Sequence, residues 1–222
     1  PGMLPDFFFF VPILYQKSTP ITRLVLPFRP WYNSDYQTKG SDFMAYYHCS
    51  PTPGIRILEP RSPGWFDKPK GVYMATLLPT VLFYGVQNFE YAYGYTKDGR
   101  LYYEEYFPHA LEILYGGKAA SLYTCAPDSV ASTRIPYEAV SEKPVRVLSE
   151  QRIPDLLEAL LEQEKRGNVT LFHYEDLSKS GLSWIHDTIL GIIRDLTPPE
   201  RTGPKGDYYR KNYPDLWQEA GF

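Results

Sequence analysis

Tyr73 and Tyr84 stand eleven residues apart. The first lies in the apolar run Gly71-Val72-Tyr73-Met74-Ala75, and the second closes the Pro79-led segment behind it. Two rings so spaced, one on a strand and one on the segment after it, could face each other across a flat ligand. Two core tyrosines are the plain alternative. His48 upstream and Glu142 downstream add an imidazole and a carboxylate, side chains that hydrogen-bond and titrate.

Other pairings carry less. His48 and Cys49 are adjacent, but neighbours on a strand point to opposite faces, so they cannot act as base and nucleophile for each other. His109 and Glu112 are three apart on an expected helix with no further ligand pair, which reads as a solvated face rather than a metal site. The chain has no phosphate-cradling glycine loop, no HExxH and no GxSxG.

The elements that must position these residues are short. Residues 44–48 read as a strand with Tyr46 and His48 on one face and Tyr47 and Cys49 on the other. A turn cluster at 50–54, a short apolar piece at 55–58 and a Pro/Gly-rich loop at 60–70 lead to the strand of Tyr73. Thr80–Val86 is expected to form a short helix started by Pro79. Phe89, Tyr91, Tyr93 and Tyr95 alternate as a strand, Asp98-Gly99 signals a hairpin, and Leu101–Tyr103 pairs back. A helix is expected over 108–115, stopped by Gly116-Gly117. Strands follow at 121–125 and from 145, with Ser141–Pro144 as the turn before the latter. Pro154 is expected to open a helix with Leu156, Leu157, Leu160 and Leu161 on one face, ahead of a last strand at 169–174. Two helical pieces close the chain, one around Trp184–Ile193 stopped by Pro198-Pro199 and one with Trp217. This is an α+β pattern with mostly antiparallel sheets.

Composition bounds the class. With 222 residues, 43% hydrophobic and 22% charged, the chain can bury one sizeable core. The expected division is an N-terminal extension at 1–43, a main domain at 44–175 and a C-terminal helical extension at 176–222. A net charge of −3 without a long basic run argues against a binder that works mainly through phosphate contacts. Cys49 and Cys125 make no disulfide framework, so a reducing cytoplasm is expected. The run Phe7–Leu14 lacks the flanks of a signal peptide and the length of a membrane span.

The order His48-Cys49-Ser50, then Gly71-Val72-Tyr73-Met74-Ala75, then Tyr84, then Ser141-Glu142 before Val145-Arg146-Val147-Leu148 and Ile153–Leu157 resembles the ADP-ribosyltransferase-like fold. The branch is the His-Tyr-Glu one, shared by diphtheria-type toxins and poly(ADP-ribose) polymerases, and the likeness covers roughly residues 44–175. The resemblance implies split antiparallel β-sheets with flanking helices and NAD as substrate. His48 would bond the adenosine ribose, with Cys49 and Ser50 beside it. Tyr73 and Tyr84 would sandwich the nicotinamide, and Glu142 would hold the nicotinamide ribose and stabilise its oxocarbenium ion. A carboxylate there binds the charged state better than the ground state, and aromatic walls fix a flat leaving group.

The chain departs from that pattern in three places. Cys49 stands where the family has glycine. Val81 stands where the polymerases have the serine that holds the amide. Glu138 and Glu150 flank Glu142 as rival carboxylates. The functional expectation is a mono-ADP-ribosyltransferase with a macromolecular acceptor, protein favoured over nucleic acid, and no membrane partner. The alternatives are an inactive NAD-binding or protein-interaction module of the same fold, a tRNA 2′-phosphotransferase-like enzyme using Arg56, Arg61 and Arg134, and an interaction protein with a tyrosine-rich face.

Overall fold

The computed structural model describes residues 45–62, 69–90, 92–96 and 98–222. The expectations for 1–43, for Met44 and for Tyr91 lie outside the described residues. The fold is α+β. One sheet holds β2 (Ile57–Leu58), β9 (Val145–Ile153), β6 (Ala120–Ala126), β1 (Tyr46–Ser50), β3 (Val72–Ala75), β8 (Glu138–Ser141) and β7 (Ala131–Ser132), in that spatial order. Every neighbouring pair in it is antiparallel.

The smaller sheet orders β10 (Val169–Phe172), β5 (Leu101–Glu104) and β4 (Tyr93–Tyr95). β4 and β5 form the expected hairpin, with Tyr95 opposite Leu101 and Gly99 at φ +80° in the turn. β10 joins β5 in parallel. The strand expected from Phe89 begins only at Tyr93. Asn88 Oδ1 takes the Glu90 N–H, and the Phe89 carbonyl accepts from the Tyr209 hydroxyl, so side chains use backbone groups that a ladder would need.

Two layers cover the inner face of the large sheet. Alternation sends Cys49, Ala75 and Leu122 into a core shared with the small sheet, α1 (Leu78–Leu82) and α3 (Leu156–Lys165). Pro79 stands in the first turn of α1, which runs on into a 3-10 turn at Phe83–Gly85. Helix α3 begins at Leu156 rather than at Pro154, because the Asp155 side chain accepts from the N–H groups of Leu157 and Glu158 and caps it. The opposite face of the large sheet carries Val72, Met74, Tyr123 and Cys125, packed with Leu58 and Val145.

A further core joins α2 (Ala110–Tyr115) and Phe107 to the C-terminal helices. These are α4 (Lys179–Asp195), α5 (Pro198–Arg201), α6 (Pro204–Asn212) and α7 (Pro214–Glu219), four where the pattern suggested two. Pro198 and Pro199 open α5 rather than merely stop α4, since proline lacks only an N–H that the first turn leaves unpaired anyway.

Candidate functional site

Strand alternation decides which expected site residues can meet. On β3, Val72 and Met74 enter the core of the outer face, which leaves Tyr73 on the inner face with Ala75. Tyr84 rises from the 3-10 turn behind α1, an element packed on the same inner face. Glu138 pairs with Ala75 across β3 and β8, and residues opposite each other share a face. The Tyr84 hydroxyl donates to Glu138 Oε2 at 3.0 Å, and the Glu138 residue is 5% exposed.

The neighbouring acidity fits this geometry. Burial pushes the Tyr84 phenol well up, and the charges of Tyr93 and Glu138 push the same way. Burial, then Glu138, raises Tyr73. The Tyr73 hydroxyl itself donates to the Pro69 carbonyl at 2.7 Å. Among the described residues, the carboxylate that sits with these tyrosines is Glu138. Glu142 is exposed in the turn between β8 and β9, where Ser141 and Lys143 bond each other.

His48 leaves β1 on the outer face, opposite Tyr123 and with the two rings 6.5 Å apart. It reaches Tyr73 through the backbone. The registered pair of β1 and β3 is Tyr47 with Ala75, and near its end Nδ1 of His48 lies 2.9 Å from the Tyr73 carbonyl. A carbonyl only accepts, so Nδ1 carries the hydrogen and Nε2 of the neutral ring is an acceptor. Burial lowers this imidazole's pKa; the Tyr73 carbonyl opposes that shift, and the Arg61 charge adds to it. The ring is therefore held neutral with one nitrogen committed.

Cys49 turns inward as expected from the alternation. It is 2% exposed, its thiol is pushed up to about 12 by burial, and it abuts Gly85. Both cysteines are free. The Ser50 hydroxyl accepts from the Thr52 N–H and shapes the turn. Val81 is fully buried, so it offers no group to an amide, and the neighbouring Thr80 hydroxyl is paired with Tyr95 at 2.7 Å.

Glu150 serves another purpose. It accepts from Ser121 Oγ at 2.6 Å, from the Gly54 N–H at 3.1 Å and from the Tyr123 hydroxyl at 3.4 Å. Led by the Ser121 bond, these hold its carboxyl below the usual range and tie the turn after β1 to the sheet.

Sequence reasoning did not single out Tyr95, Tyr123 or Tyr137. Tyr137 adopts φ +62° immediately before Glu138, with its hydroxyl on the Gly99 carbonyl at 3.2 Å and its ring against Tyr95. Its contact to a hairpin turn far along the chain had no local signal. A groove of ≈ 380 Å³ runs beside it, lined by Tyr46, Thr76, Arg134, Tyr137 and Glu138 among others.

The arginines of the phosphotransferase alternative are dispersed. Arg56 adjoins β2 at one edge of the large sheet, while Arg134 lies between β7 and β8 at the other, and Arg61 pairs its backbone with Gly71. Among the described residues there is no group of three metal-ligating side chains, and no described helix is long and apolar enough to cross a membrane. No protein-family model matches the chain, and no curated protein matches it.

Proposed function

We propose that this protein binds NAD and cleaves its nicotinamide–ribose bond, passing ADP-ribose to a macromolecular acceptor. The observation that carries the reading is the convergence of Tyr73, Tyr84 and Glu138 on one face, with Tyr84 bonded to the carboxylate. Breaking the bond builds positive charge on the ribose, and a carboxylate in a partly dry, aromatic setting stabilises that charge more than water would. The tyrosines offer flat surfaces for the nicotinamide. His48, on the outer face, supports the site through its Nδ1–H bond to the Tyr73 carbonyl, which helps hold the strand that carries Tyr73. Glu138 takes the role that the resemblance assigns to Glu142.

The test is nicotinamide release from NAD by the purified full chain, beside Glu138→Gln and Glu142→Gln. Release lost on the order of 10²–10³-fold in Glu138→Gln alone supports the reading and its carboxylate. Loss in Glu142→Gln alone returns the role to Glu142. No release and no NAD-dependent thermal shift from the wild type overturns the reading.

A further inference from the structure

Glu90 is 7% exposed, and its Oε1 has no hydrogen-bond partner among the described residues. It lies where the small sheet meets the C-terminal helices. Its backbone N–H is held by Asn88 Oδ1, which also accepts from the Tyr208 hydroxyl of α6 at 3.2 Å. The next residue of α6, Tyr209, donates to the Phe89 carbonyl at 3.0 Å. The segment 88–90 is thus the seat of α6 on the main body.

Among the described residues, the titratable groups nearest Glu90 are phenols. Tyr208 and Tyr213 contact the carboxyl from α6 and its end, and its charge would reach Tyr209, Tyr103 of β5, Tyr106 and Tyr115 of α2. The other charges acting on these tyrosines are negative too: Glu105 on Tyr103, Glu104 on Tyr106 and Glu200 on Tyr209. The hydroxyls of Tyr103 and Tyr213 are themselves buried without hydrogen-bond partners among the described residues. Burial stands against an ionised carboxylate in this setting and outweighs the neighbouring Tyr213 and Tyr208 hydroxyls, which pull the other way, while a neutral carboxylic acid can donate to a phenol oxygen.

We propose that Glu90 is a proton-operated latch: as a neutral acid it seats the C-terminal helices on the small sheet, and loss of its proton to solvent favours their release. In the seated state burial raises its pKa to about 8, against an ordinary value of 4.5. The folded pKa is raised, so the stabilisation is full below the ordinary value and is lost as pH climbs from there through the folded value. Between those limits the released state sheds a proton that the seated state keeps.

Peptide-resolved hydrogen exchange across α6 of the full chain, corrected for the intrinsic chemical rate, reads the release directly. Between about pH 5.5 and 7.5 the opening constant of wild type is expected to rise roughly tenfold per pH unit, and that of Glu90→Gln to stay flat. Equal pH slopes in the two proteins overturn the proposal. Where Glu90→Gln fails to fold, carboxyl-labelled glutamate NMR on the wild type decides. One glutamate titrating near 8 supports the latch, and all glutamates titrating in the ordinary range overturn it.

Discussion

His48 shows how one hydrogen bond assigns a side chain its chemistry. Nδ1 faces a carbonyl, so the proton must sit there, and burial discourages a second one. Protonating this ring in the folded protein is harder than in the unfolded chain. Its folded pKa is depressed, so its contribution is complete above pH 6.5 and is lost as pH falls through the lowered value. Wild type should therefore lose stability relative to His48→Asn as pH is brought from 7 to 5, because the amide keeps an N–H donor and does not titrate. Urea midpoints of both proteins across that range check this, and parallel curves would reject it. Tyr84 makes a second case at the same scale. Its ring could wall a ligand while its hydroxyl holds Glu138, and Tyr84→Phe separates the two. Leaving one lone pair of a buried carboxylate unserved costs about 1–3 kcal/mol. The variant should lose that much in urea unfolding and, on the proposed reading, keep the NAD-dependent rise in melting temperature expected of wild type.

Among elements, the turn that delivers Tyr84 depends on a close approach. A Cβ on Gly85 would lie 2.7 Å from Leu156 Cδ1 and 3.0 Å from Cys49 Sγ, so the 3-10 turn is pressed between β1 and the first residue of α3. Gly85→Ala overpacks that contact and should cost about 1–3 kcal/mol. It should also weaken the NAD binding proposed above, because Tyr84 is displaced with its turn. Thermal melts with and without NAD measure both, and a variant as stable as wild type would mean the turn yields freely. None of this tightness was visible in Gly85 as a letter. What was legible was periodic or punctuated. The alternation at 46–49, the Asp98-Gly99 hairpin and the leucine face of α3 each rest on local spacing, and all formed. Helix α6 was missed because its buried positions are Gly206 and Tyr209, amid charged and polar neighbours, and give no apolar stripe. The shortened β4 was missed because its missing backbone partners come from Asn88 and Tyr209, the latter far along the chain. At the candidate site, the two tyrosines carried a local signal, whereas the position of Glu138 on their face follows from the β3–β8 register that sets it opposite Ala75, which no local spacing shows.

At the scale of the whole molecule, a second buried carboxylate, besides Glu90, stands where the main body meets the C-terminal helices. Glu105, 1% exposed, follows β5 and accepts from the Leu111 N–H of α2 at 2.8 Å and from the Tyr174 N–H at 3.0 Å. Its own N–H donates to the Phe172 carbonyl of β10, so sheet, helix and the approach to α4 meet in one residue. His173 stands 3.5 Å from Oε2 and adds a charge when protonated. Phe107 and Ala110, just beyond, are core residues of the helical unit. Glu105→Gln keeps the shape but puts an NH₂ group against one of two backbone donors. One buried N–H is then unpaired, and the charge that strengthened both bonds is gone, a loss of about 2–4 kcal/mol. Because the two donors belong to elements on either side of the joint, the loss should fall on the fold as a whole. A single unfolding transition, shifted to lower urea with its slope unchanged, is the expected result whether followed by far-ultraviolet dichroism or by tryptophan emission. Two separated transitions would mean that the carboxylate couples units that otherwise unfold independently, and that Glu105 rather than the shared apolar contacts makes them one.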